Sequence, residues 1–111
     1  MTSSSVIAEH AYDIASTGRA MWVRVYAPIA EAGDDWTCAY AIDEPVSVKG
    51  QARGESSLQA LVEAFRAVSR GLYGSQQYKN QELLQFGEFD ARLILPPTFD
   101  LGIVIDQYWA G

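Results

Sequence analysis

Between Val46 and Leu72 the chain reads VSVKGQARGESSLQALVEAFRAVSRGL, and within this stretch its hydrophobic period changes. From Val46 to Arg53 the period is two: Val46, Val48 and Ala52 oppose Ser47, Lys49, Gln51 and Arg53, the pattern of a half-buried strand. From Leu58 the spacing becomes helical. Leu58, Leu61, Val62, Phe65, Val68 and Leu72 fall on one side, with Glu63, Arg66, Ser69 and Arg70 on the other. Ser56 stands three residues before Gln59, as in a capping box, and Gly71 or Gly74 suits the C-terminal end. A strand that leads into an amphipathic helix predicts a two-layer unit, helix on sheet.

Upstream the period of two recurs. Val6, Ala8, Tyr12 and Ile14 form the more apolar face of a strand over Val6 to Ile14, with Glu9 and Asp13 pointing the other way. The turn cluster Ser16-Thr17-Gly18-Arg19 follows. Next, Ala20 to Ile29 alternates Met21, Val23, Val25, Ala27 and Ile29 against Trp22, Arg24, Tyr26 and Pro28. A turn at Glu31 to Asp35 precedes Trp36 to Ile42, where Trp36, Cys38, Tyr40 and Ile42 alternate with Thr37, Ala39 and Ala41. Asp43-Glu44-Pro45 then turns the chain into the strand at Val46. Such short connections predict a four-stranded antiparallel meander at the N-terminal end.

Downstream of the helix, Ser75 to Gln85 is polar and reads as a loop or a short helix ending in Leu83-Leu84. Pro96-Pro97 interrupts short extended pieces at Ala91 to Leu95 and Leu101 to Asp106. The fold class expected is therefore α+β: the meander, one main helix packed on one face, and a C-terminal segment of short extended pieces. With 111 residues, against roughly 100–200 per domain, residues 1–111 read as a single domain.

Hydrophobic residues make up 49% and charged residues 20%, a globular composition. Eight Lys and Arg against 14 Asp and Glu give a net charge of -6, which opposes binding to nucleic acid or to anionic membranes. Met1-Thr2-Ser3-Ser4-Ser5 has no basic residue and leads into Val6-Ile7-Ala8-Glu9, not into an apolar signal core. With a lone cysteine, Cys38, the expectation is a soluble cytoplasmic protein.

The residues that could carry chemistry are few. One cysteine and one histidine, His10, leave no His/Cys metal cluster, and the adjacent pairs Asp34-Asp35 and Asp43-Glu44 suit turns rather than a calcium loop. Cys38 lies between Trp36 and Tyr40 on its strand face, where a thiol behaves as a small hydrophobe. A Cys38–His10 dyad would have to reach across the middle strand of the meander. His10 itself reads as a histidine hydrogen-bonded in or near the core. Gly54-Glu55-Ser56-Ser57-Leu58 has leucine where a nucleophile elbow needs glycine, so Ser56 reads as a helix cap. No metal, no cofactor and no catalytic set is expected.

The least ordinary feature is Trp22-Arg24-Tyr26. These side chains share the strand face opposite Met21, Val23 and Val25, and they are of the types that dominate interface energetics. Either the C-terminal segment covers that face, through Leu93, Leu95, Ile103, Ile105 or Trp109, or a partner does.

From Pro28 to Leu72 the chain resembles a family of small uncharacterised bacterial proteins, a domain-of-unknown-function family. The resemblance rests on Asp35-Trp36 followed by Cys38 and Tyr40, then on Gly54 ahead of Gln59-Ala60-Leu61 and Ala64. Glu55 matches the acidic residue that follows the glycine, while Phe65 stands where the family usually has leucine. The resemblance implies a bacterial, stand-alone small domain and no catalytic residue.

Two functions compete at this point. One is a non-catalytic protein-interaction domain, a small acidic adaptor or immunity-type inhibitor, that meets a protein partner or a second copy through Trp22, Arg24 and Tyr26. The other is a small-molecule binder or small enzyme with a pocket between sheet and helix, using His10, Tyr12 and Tyr40 as polar handles.

Overall fold

The computed structural model describes residues 5–95. Its first two strands, β1 (Val6–Ile14) and β2 (Ala20–Tyr26), pair antiparallel, with a register shift between Val6 and Ala8. The turn between them needs a left-handed residue, supplied by Gly18 at φ +72, whose N–H bonds Ile14 O at 2.7 Å. The strand expected to run on to Ile29 is split: Pro28 has no N–H to donate, and pairing resumes in the two-residue β3 (Ile29–Ala30). Both pieces lie along one side of β4 (Trp36–Ile42), β3 against its start and β2 against its end. The other side of β4 pairs along its whole length with β5 (Val48–Gly54), two residues later in onset than the alternation suggested. The meander β1-β2-β4-β5 is therefore antiparallel throughout, as expected.

The helix α1 spans Ser57–Tyr73. Ser56 Oγ accepts the Gln59 N–H at 3.1 Å, and Gln59 Oε1 accepts the Glu55 N–H at 2.6 Å, one residue before the cap position of a standard box. The last turn ends at Gly74, whose N–H returns to Arg70 O. Gly71 has a packing role instead: a Cβ there would come within 3.0 Å of Ile42 Cδ1. At the other end a Cβ on Gly54 would overlap the backbone N of Ala60. Glycine and alanine at these positions let α1 lie close over β4 and β5, with Ala60, Ala64, Val68 and Leu72 buried.

After α1 comes the short helix α2 (Gln76–Lys79), so Leu83-Leu84 is not a helix end but the start of β6 (Leu83–Gln85). β6 pairs with the outer side of β1, and β7 (Glu88–Phe89) pairs with β6, extending the sheet beyond the meander. Residues 91–95 form no strand, because side chains satisfy their backbone groups. Gln85 bonds Arg92 O and Ile94 N, Tyr78 bonds Ala91 O, and Tyr73 Oη both accepts from Leu93 N and donates to Leu95 O, each of these last two at 2.8 Å. Leu93 is buried in the core with Tyr12, Ile14 and Leu83, and Leu95 packs against that core. Thus Leu93 and Leu95 serve the helix-covered face, not the face of Trp22. Ile103, Ile105, Trp109 and the extended piece expected over Leu101 to Asp106 lie outside the described residues.

Candidate functional site

Alternation along β2 sends Met21, Val23 and Val25 into the core and Trp22, Arg24 and Tyr26 to the opposite face. Cross-strand pairing aligns Glu9, Arg24, Ala41 and Lys49 in one rung of that face, and Ala39 with Gln51 in the next. Arg24 Nε meets Glu9 Oε2 at 3.2 Å and Nη1 meets Asp43 Oδ2 at 3.4 Å, while Cζ lies 5.3 Å from the Trp22 ring centroid. Pairs this open to water contribute about 0.2–1 kcal/mol each, so their main effect is to fix the direction of the guanidinium. Trp22 remains 37% exposed. Because β4 carries only Ala39 and Ala41 here, the face dips into a depression of about 530 Å³, walled by Tyr26 on one side and by Lys49 and Gln51 on the other.

The second set of candidates lies on the helix-covered face. His10 and Tyr12 meet edge to face, with centroids 4.8 Å apart, and His10 also lies 5.6 Å from the ring of Phe86. His10 Nε2 is buried without a hydrogen-bond partner, contrary to the expectation of a satisfied core histidine, and burial holds its pKa below the ordinary value. Tyr12 is almost fully buried; burial pushes its pKa up to about 12, opposed by a hydrogen bond with the backbone of Ile94. Tyr40 does not join this pair. It stands on β4, across from Val25 and Gly50, with β2 between it and His10.

Cys38 is wholly buried, and its Sγ donates to Tyr26 O at 3.1 Å. Burial raises its pKa, so the group stays a thiol, and β2 separates it from His10 as the sequence suggested. Among the described residues no three or more His, Cys, Asp or Glu side chains are placed to hold a metal ion, and no helix is long and apolar enough to cross a membrane.

A family model for a domain of unknown function, DUF6968, matches residues 8–96. The chain belongs to DUF6968. No curated protein and no solved structure matches it. The DUF6968 match is wider than the Pro28 to Leu72 stretch that carried the resemblance: it starts inside β1 and takes in both candidate sets of residues.

Three features of the DUF6968 domain escaped the sequence reading. Glu9 and Asp43 hold Arg24, and the alanines of β4 make the depression. Glu9 was legible as a residue of the polar side of β1, but its partner depends on register. Phe86, 87% exposed beside His10, lies in a hairpin that the polar run from Ser75 to Gln85 did not announce.

Proposed function

We propose that this DUF6968 domain is a non-catalytic interaction module, a small acidic adaptor or immunity-type inhibitor, that meets a protein partner or a second copy through the open face of its sheet. The observation that supports this reading is the ridge Trp22-Arg24-Tyr26 on the face opposite a packed core, with Trp22 exposed, Arg24 and Tyr26 half-buried, and the arginine already oriented by Glu9 and Asp43. Aromatic and arginine side chains carry much of the energy at interfaces, and an arginine oriented before binding loses less rotamer entropy on contact. A net charge of -6 speeds encounter with a basic partner and disfavours nucleic acid and anionic membrane. The place of action in this reading is the bacterial cytoplasm, where the thiol of Cys38 stays reduced.

Trp22→Ala and Arg24→Ala test the reading in capture from native lysate and in sedimentation across a concentration series, beside urea melts. Both variants should stay within about 1 kcal/mol of wild-type stability, since they remove side chains from an open sheet face. Both should weaken capture or self-association by ~2 kcal/mol or more. A monomeric wild type whose captured proteins are unchanged in either variant would refute it.

A further inference from the structure

The ridge on β2 is not the only surface the sheet offers. β5 is an outermost strand: it pairs with β4 along Val48–Gly54, and none of the described residues pairs with its other side. It contains no proline, and its pairing with β4 is regular throughout, so its outward N–H and C=O groups are in line to receive a further strand.

Charge decides which strand. On the open face β5 presents Lys49, Gln51 and Arg53, with the two cations about 13 Å apart along the strand. Arg24 is neutralised by Glu9 and Asp43, but Lys49 has no ion-pair partner among the described residues. Arg53 reaches Asp35 only at 3.8 Å, with side chains 74% and 49% exposed. An acidic chain thus carries, along this one edge, two cations with little local neutralisation. A second copy is a poor occupant. The antiparallel register that overlaps the whole of β5 centres on Gln51 and sets Lys49 opposite Arg53, a like-charge pairing that destabilises.

We infer that the free edge of β5 accepts an extended acidic segment of a protein partner as an added strand, with carboxylates four residues apart facing Lys49 and Arg53. Main-chain bonds supply affinity, and the two cations select the segment while rejecting neutral or basic strands. This goes beyond the ridge of Trp22, Arg24 and Tyr26 and does not depend on it.

Two nine-residue peptides provide the test, each alternating valine with polar residues, one with glutamate and one with lysine at its third and seventh positions. Titrated into the ¹⁵N-labelled full chain, the glutamate peptide should shift the amides of Val48–Gly54 and bind at least about tenfold more tightly than the lysine peptide, a difference of roughly 1.4 kcal/mol. In the double variant Lys49→Glu, Arg53→Glu the preference should reverse. Four results overturn the inference. One is β5 amides unmoved at millimolar peptide. Another is equal binding of both peptides. The third is slow hydrogen exchange, in the free protein, at the β5 amides that face away from β4, which would mean that residues 96–111 or a second copy already occupy the edge. Shifts confined to Trp22, Arg24 and Tyr26 would also overturn it, while leaving the ridge as an interaction surface.

Discussion

The thiol of Cys38 donates to the backbone carbonyl of Tyr26 at 3.1 Å, at the place where the second strand stops before Pro28. Where the strand breaks, a side chain from the neighbouring strand meets that backbone oxygen. Labelling of the folded protein by a thiol reagent at neutral pH should therefore be much slower than labelling in urea, since burial raises the Cys38 pKa. Cys38→Ser keeps a donor for Tyr26 O and should cost only about 1 kcal/mol in a urea melt. Cys38→Val leaves the carbonyl without that donor and should cost more, about 1–3 kcal/mol.

The N-terminal end of α1 depends on two side chains that act in opposite directions. Ser56→Ala removes the acceptor for the Gln59 N–H and should lower stability by ~1 kcal/mol. Gln59→Ala frees the Glu55 N–H to water and should cost less, a few tenths of a kcal/mol. Equal urea midpoints for wild type and Ser56→Ala would show that the cap contributes nothing.

The sequence disclosed most of this architecture because alternation and helical spacing are local properties. Trp36 to Ile42, Val6 to Ile14 and the cap at Ser56 were readable from neighbours within a few positions. β6 was not, since a three-residue strand shows no period, and Leu83-Leu84 fits a helix end equally well. The segment 91–95 reads as a short extended piece because the apolar run Leu93-Ile94-Leu95 stands before Pro96-Pro97. Its backbone is instead met by Gln85 and Tyr73, contacts that no spacing rule encodes. On the open face, residue types were legible and partners were not. Trp22, Arg24 and Tyr26 announce themselves by alternation, whereas Arg24 finds Glu9 through register and Asp43 through the placing of a turn.

Tyr73→Phe isolates the hydroxyl that serves Leu93 and Leu95. The variant keeps the ring but leaves the Leu93 N–H and the Leu95 carbonyl without their partner, so a loss of about 1–3 kcal/mol is expected. Hydrogen exchange should accelerate first at Leu93, before any change in the amides of β4. Uniform acceleration across the molecule would mean that this contact is not locally separable.

His10 makes stability depend on pH in one direction. Its folded pKa lies below the ordinary histidine value of 6.5, so the unfolded chain takes up the proton first as pH falls. Its contribution is complete above pH 6.5 and declines as pH drops from there through the lowered folded value. Urea melts of wild type and His10→Gln at pH 7.5 and below 6 check this, because the carboxylates titrate alike in both. The wild type should lose stability relative to the variant on acidification; an unchanged difference would refute it.

The pairing of β1 with β6 joins Ile14 to Leu83 across most of the chain. During synthesis β1 emerges early and can form its hairpin with β2 at once, but its other side has no neighbour until α1 and α2 have been made. For that interval the nascent chain carries an open edge with Ile14 and Tyr12 beside it, the kind of surface that chaperones bind and that joins other unfinished copies. Closure of that seam is a non-local step, and its loop length predicts an order of assembly with meander and helix first, β6 and the Tyr73 contact last. Poor expression of variants at Leu83 or Tyr73 would then reflect the time spent unfinished as much as the stability of the finished fold.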